Sequence, residues 1–109
     1  MSFVETEING QIITIRLNRP ERLNALSTVI RDGMAEAFNR FHEDNDLEVA
    51  ILTGTGRGFC AGEDMKESID RGIPGSPKEF VEENLVDPFQ KGILQKPVIA
   101  AVNGFAMGG

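Results

Sequence analysis

Two apolar runs constrain this chain more than anything else in it. Val49-Ala50-Ile51-Leu52-Thr53 and Pro97-Val98-Ile99-Ala100-Ala101-Val102 show no alternation of apolar and polar residues. Such continuous runs suit strands of a parallel sheet covered on both faces. Parallel neighbours need a long crossover between them, usually helical. The intervening residues supply one, so both strands are expected to be buried and parallel and to end on the same edge of the sheet. The loops after them should then lie side by side. In open α/β sheets that edge is where ligands bind.

The remaining elements fit an α/β chain that opens with a hairpin. Phe3 to Ile8 alternates, Asn9-Gly10 is a strong hairpin signal, and Gln11 to Leu17 reads as the returning strand. Asn18 to Arg22 is a loop by composition. Ser27 suits a helix N-cap. After it Ile30, Met34, Ala37, Phe38 and Phe41 recur at helical spacing. Gly33 weakens that helix slightly, which should end near the polar run His42 to Asp46. Asp64 can cap a short helix to about Arg71, and Ser76-Pro77 opens another. Asp87-Pro88 should break or kink the latter, with the pattern resuming through Phe89, Ile93 and Leu94.

Several functions are disfavoured. The 109 residues make one domain at most, or part of one. A formal net charge of −6 with scattered Lys and Arg does not suit nucleic acid. No apolar run is long enough to cross a bilayer, and the first residues lack a signal-peptide pattern. The expectation is a soluble cytoplasmic protein with no membrane or nucleic-acid partner. The single cysteine, Cys60, excludes an internal disulfide, and no Cys/His cluster suggests a metal. Without a neighbouring His, Cys60 reads as a small buried thiol rather than a nucleophile. His42, at a polar helix end, reads as solvent-facing, and Asp70, Glu79, Glu82, Glu83 and Asp87 as solvated helix faces.

Three segments could carry chemistry. Gly56-Arg57-Gly58-Phe59-Cys60-Ala61-Gly62-Glu63-Asp64 joins glycines, which permit close approach of a backbone, to the start of a helix, which leaves N–H groups without partners. Such groups can hold negative charge developing on an oxygen. A plain surface connection fits the same composition. Lys96 to Gly109 runs a strand into Asn103-Gly104 and a final Gly108-Gly109, again either a source of bare N–H groups or a flexible tail. Pro20-Glu21-Arg22-Leu23-Asn24-Ala25-Leu26-Ser27 is by itself a loop leading to a cap. Its Arg22 could meet a phosphate or simply water.

Taken together and in order, these segments resemble the crotonase superfamily, the enoyl-CoA hydratases, isomerases and their relatives. Pro20 to Leu26 looks like that family's loop after the first hairpin. Phe59-Cys60-Ala61-Gly62-Glu63-Asp64-Met65-Lys66 looks like its A-G-x-D segment, and Lys96 to Gly109 like the start of its long signature. The resemblance runs from Phe3 to the last residue. It implies the N-terminal part, residues 1–109, of a single domain built as a spiral of β-β-α units, assembled as trimers or dimers of trimers. It implies an acyl-coenzyme A thioester as substrate, with no separate cofactor and no metal.

The same resemblance assigns residues. The backbone N–H groups of Glu63 and Gly109 would form an oxyanion hole for a thioester enolate. They should converge so that one oxygen sits about 3 Å from each nitrogen, the nitrogens then lying no more than roughly 6 Å apart. Arg22, Leu23 and Ala25 would line the coenzyme path, Arg22 near phosphates. Ala61 would receive the adenine through backbone groups, with Asp64 and Met65 on the same binding side. The reaction expected first is enoyl-CoA hydration or isomerisation.

The resemblance places the acid and base glutamates of hydratases beyond the position of Gly109, so the 109 residues alone are expected to be inactive as a hydratase. The alternative is a non-catalytic crotonase-like fragment or structural subunit. Reading the gene past the Gly109 codon separates the two: a glutamate in a continuing helix supports the enzyme, a stop codon the subunit.

Overall fold

The structure, a computed structural model, describes residues 3–62 and 86–107. Strands β1 (Val4–Asn9) and β2 (Ile12–Leu17) form the expected hairpin, antiparallel from Val4↔Leu17 to Asn9↔Ile12. Its turn sits one residue later than the Asn-Gly signal suggests: Gly10 and Gln11 are the central pair. Of these only Gly10 has positive φ, +63°, as a turn with glycine at its first central position requires. That register matters, because a slip by one residue turns every side chain to the other face. As built, Ile13, Ile15 and Leu17 all point into the core.

Helix α1 (Thr28–Glu43) starts where its cap dictates. Ser27 is extended, and its Oγ accepts from the Ile30 N–H at 3.3 Å. The apolar stripe Ile30, Met34, Ala37, Phe38 and Phe41 is buried throughout, as the spacing predicts. Gly33 has a purpose beyond helix propensity, since a Cβ there would lie 2.7 Å from Val4 Cγ2. The first strand therefore packs directly on the helix backbone. At the other end Lys96 Nζ donates to the carbonyls of Phe41 (2.7 Å) and Asp44 (2.8 Å). A cation suits the negative end of the helix. His42 is exposed, as expected.

Strand β3 (Val49–Gly54) pairs parallel with β2, and β5 (Val98–Ala100) pairs parallel with β3, giving the order β1-β2-β3-β5. The parallel expectation holds. The burial expectation does not. Ala50 and Leu52 are buried beneath α1, while Val49 and Ile51 on the other face are half-buried. In β5 Ile99 is 55% exposed, and Val102 just after it 56%. Among the described residues, helix α1 covers one face of the sheet and β5 is its outer strand, so nothing described covers the rest. A run of apolar residues shows that a strand suits cover, not where the cover comes from.

Two further strands leave this sheet. β4 (Gly58–Cys60) follows β3, β6 (Phe105–Ala106) follows β5, and the two pair parallel as a small second sheet. The helices expected from Asp64 and from Ser76-Pro77 lie outside the described residues.

At Asp87-Pro88 the structure has a helix start, not a kink. The Asp87 carboxylate accepts from the N–H groups of Phe89 (2.8 Å) and Gln90 (3.3 Å) and caps α2 (Pro88–Lys91), with Pro88 in its first turn. The Phe89 ring stacks on Phe38 at 4.7 Å. Burial pushes the Asp87 carboxyl above its ordinary value, outweighing the two N–H donors that favour its charge. The folded chain thus binds that proton more tightly than the unfolded chain does. The resulting stability is complete below the ordinary value of 3.8 and is lost as pH rises through the raised one. Asp87→Asn keeps a comparable cap without the charge. Urea titrations should therefore show the variant gaining on the parent as pH rises above 3.8, and Asp87→Ala losing about 1 kcal/mol. A deficit of Asp87→Asn that grows with pH would contradict this assignment.

Candidate active site

The second sheet brings the two glycine loops together. After β3 the chain turns through Gly56 (φ +87°) and runs along β4 into Ala61 and Gly62. After β5 it turns at Asn103-Gly104 and runs along β6 to Met107. Cys60 is the register partner of Ala106, and the Met107 N–H donates to the Cys60 carbonyl at 2.9 Å. The loops touch with no room between them. A Cβ on Gly104 would overlap the Arg57 carbonyl, and one on Gly54 would meet the Phe59 carbonyl at 2.6 Å and Asn24 Nδ2 at 2.8 Å. At Gly104 backbone of the neighbouring loop already fills the space of a side chain, and at Gly54 the carbonyls further along its own loop and the Asn24 amide do.

The third segment completes the arrangement. Pro20–Arg22 is one turn of 3-10 helix, followed by Leu23 (φ 51°) and Asn24 (φ 56°) in the left-handed region. Two consecutive residues without glycine's freedom are held there by what Asn24 bonds. Its side chain is completely buried. Oδ1 accepts from the Arg19 N–H at 2.7 Å, and Nδ2 donates to the carbonyls of Thr55 (3.1 Å) and Gly58 (2.8 Å). The backbone that follows then pairs with the A-G segment. The Ala61 N–H donates to the Leu23 carbonyl (3.0 Å), and the Leu26 N–H to the Gly62 carbonyl (2.6 Å). Gly62 itself sits at φ +86°.

Of the residues singled out from sequence, the structure joins Leu23 to Ala61 directly. Arg22, half-buried, and Ala25, buried, flank that contact. Glu63, Asp64, Met65 and Gly109 lie outside the described residues. Glu63 is three residues past Cys60, and Gly109 three past Ala106, the register partner of Cys60. Cys60 is a buried free thiol, as expected. It lines a small apolar cavity of ≈60 Å³ with Leu26, Met34, Phe59 and Met107 among its neighbours. No group of three metal-ligating side chains occurs among the described residues, and none of their helices is long and apolar enough to cross a membrane.

Sequence reasoning missed Asn24 and Asn103. Asn24 lies within the Pro20 to Leu26 segment, and Asn103 reads from sequence only as part of a turn with Gly104. The available signal for Asn24 was its tolerance of left-handed backbone. Asn103 accepts from the Gly54 N–H (3.1 Å) and donates to the carbonyls of Gly56 (2.9 Å) and Gly58 (3.3 Å).

Parallel strands whose end loops converge in this way suit ligand binding at the edge of an α/β sheet. The sequence profile described as enoyl-CoA hydratase/isomerase matches residues 7–109, and the chain belongs to that family, with the fold of the crotonase superfamily. It is 36% identical to the 1,2-epoxyphenylacetyl-CoA isomerase of Escherichia coli K12, over 99% of this chain and 42% of that protein. It is 38% identical to a probable peroxisomal enoyl-CoA hydratase of Arabidopsis thaliana, over 91% of this chain and 36% of that one. The crystal structure of a probable enoyl-CoA hydratase/isomerase from Mycobacterium abscessus superposes with a TM-score of 0.79 at 35% identity, covering 97% of this chain and 39% of that one. The chain thus spans well under half the length of these relatives.

Proposed function

We propose that this chain forms the acyl-CoA-binding front of an enoyl-CoA hydratase or isomerase, in which the backbone N–H groups of Glu63 and Gly109 hold a thioester enolate oxygen. The observation that carries the reading is the parallel pairing of Cys60 with Ala106. β4 and β6 are irregular between Gly58 and Cys60, but past that point the Cys60–Ala106 pair and the Met107 N–H bond to the Cys60 carbonyl keep the two chains neighbours as far as Met107. Both assigned donors stand at the same step, one at the start of each glycine segment's continuation. Related proteins whose names specify acyl-CoA thioesters support the substrate class.

In this reading the left-handed turn at Leu23-Asn24 and the Ala61 backbone line the coenzyme path, with Arg22 facing phosphate and Ala25, Asp64 and Met65 completing the wall. The chemical work of the site is electrostatic. Two N–H dipoles meet the oxygen that gains charge as the thioester enolises, and each is worth about 3 kcal/mol of barrier. The whole protein acts as a homotrimer or hexamer on an acyl-CoA without a further cofactor. Acid–base groups choose between hydration and isomerisation.

The test is turnover of crotonyl-CoA and of a 3-enoyl-CoA by the polypeptide expressed from its whole gene, beside calorimetric titration of the 109-residue chain with acyl-CoA. Turnover of either thioester by the whole protein is expected. Failure of the whole protein both to turn over and to bind acyl-CoA would overturn the reading.

A further inference from the structure

The carbonyl of Gly58 is the one atom on which both asparagines of the site meet. Asn24 Nδ2 donates to it at 2.8 Å from the Arg19–Leu26 turn, and Asn103 Nδ2 at 3.3 Å from the β5–β6 loop. The two amides also reach other groups of the Gly54–Gly58 backbone. Asn24 also holds the Thr55 carbonyl. Asn103 also takes the Gly54 N–H and the Gly56 carbonyl. The glycine-rich connection from Gly54 to Gly58 therefore hangs between two side-chain amides, one completely buried and one exposed. Glycine gives that connection many conformations in the absence of such constraints. Yet β4, which starts at Gly58, must enter beside β6 with Gly58 opposite Phe105 and, past an irregularity, Cys60 opposite Ala106.

We infer that Asn24 and Asn103 are a pair of positioning residues that clamp the Gly54–Gly58 connection through the shared Gly58 carbonyl and so fix where β4 enters beside β6, Gly58 opposite Phe105. The inference rests on the acyl-CoA reading for its kinetic consequence. If the loops after β4 and β6 carry the two donors, the clamp sets the distance between them. Misplacement by about 1 Å at such a site costs on the order of 100-fold in rate. The Asn103 side chain is not assigned to the substrate, so its loss should affect ground-state binding little, whereas Asn24 also holds the Leu23-Asn24 turn on the coenzyme path and its loss should raise KM as well. The two should also act as a unit, since losing either donor frees the same carbonyl to move.

The experiment uses the polypeptide expressed from the whole gene and compares Asn24→Asp, Asn103→Ala and the double variant. Asn24→Asp retains the acceptor for the Arg19 N–H and loses both donated bonds. Asn103→Ala alters an exposed residue. Enoyl thioester turnover should show kcat lowered about 10- to 100-fold in each variant, with KM within about three-fold of the parent for Asn103→Ala. The double variant should be no worse than the poorer single by more than about three-fold.

Amide hydrogen exchange supplies a readout that general loss of stability would not reproduce. The Met107 and Ala61 N–H groups should exchange at least about ten-fold faster in each variant, while those of Ile15 and Phe38 keep the parental rate. Parental kcat in both single variants, or losses that multiply in the double variant, would overturn the inference. So would acceleration spread evenly over the core. If the unaltered protein turns over no enoyl thioester, the acyl-CoA reading fails, and the exchange pattern alone then decides whether the clamp exists.

Discussion

Gly62→Val in the whole protein should lower turnover of an enoyl-CoA thioester by about 100- to 1,000-fold, the effect of losing one oxyanion donor. The cause is backbone, not side-chain, chemistry. Gly62 sits at φ +86°, where a β-branched residue is a genuine outlier. Its carbonyl is already committed to the Leu26 N–H at 2.6 Å. Valine must leave the left-handed region, which breaks that bond or moves the next peptide, and the next peptide carries the Glu63 N–H. Glu63→Gln is the matched control. In this account Glu63 acts through its backbone, so activity should stay within about three-fold of the parent, less than about 0.7 kcal/mol of barrier. A Gly62→Val protein with parental kcat, or a Glu63→Gln protein inactivated as deeply as Gly62→Val, would contradict the assignment of that donor.

Gly104→Ala should be the most damaging single methyl added among the described residues. A Cβ there would overlap the Arg57 carbonyl and lie 2.8 Å from its carbon. Both are backbone atoms of the neighbouring loop, which cannot swing aside as a flexible side chain can. The loops must separate, which opens the β4–β6 pairing and the Met107–Cys60 hydrogen bond. Overpacking typically costs about 1–3 kcal/mol, and a clash with fixed backbone should fall at or above the upper end. Gly10→Ala is the comparison: its Cβ would meet nothing within 4 Å, leaving only the conformational penalty of φ +63°, about 1–2 kcal/mol. Chemical denaturation would rank them. Gly104→Ala should be the less stable and should also lose turnover, whereas Gly10→Ala, far from the loops in the hairpin turn, should keep it. Equal stability with intact activity in Gly104→Ala would show that the loops are not in contact.

The parts of this fold legible in the sequence are those fixed by periodicity and caps. Ile30, Met34, Ala37, Phe38 and Phe41 share one face because 3.6 residues make a turn, and the Ser27 hydroxyl sets where that turn begins. The hairpin was legible to within one residue. Asn9-Gly10 marks a turn, but the choice of central pair depends on which register buries Ile13, Ile15 and Leu17, and that is decided by packing against α1.

Ile99 and Val102 misled because an apolar run reports affinity for cover, whereas burial depends on neighbours elsewhere in the assembled chain. Asp87-Pro88 does interrupt helix, since Val86 and Asp87 are not helical, as proline's missing donor suggests. The same residue pair starts a helix when the preceding aspartate is free to cap it. At the site, glycine-rich loops after parallel strands were visible from composition. The amides that hold them were not, since an asparagine bonding a carbonyl 34 residues away leaves no local pattern. The family resemblance supplied the assignment of Glu63 and Gly109, which composition left open between a plain loop and an anion site.

The central claim is that the two loops present two N–H groups to one oxygen. The most direct measurement is a crystal structure of the whole protein with an acyl-CoA bound, read at the thioester carbonyl. The account predicts that oxygen within hydrogen-bonding distance of both backbone nitrogens, about 2.7–3.2 Å from those of Glu63 and Gly109. A bound thioester with either nitrogen turned away, or with the two nitrogens much more than about 6 Å apart, would contradict it.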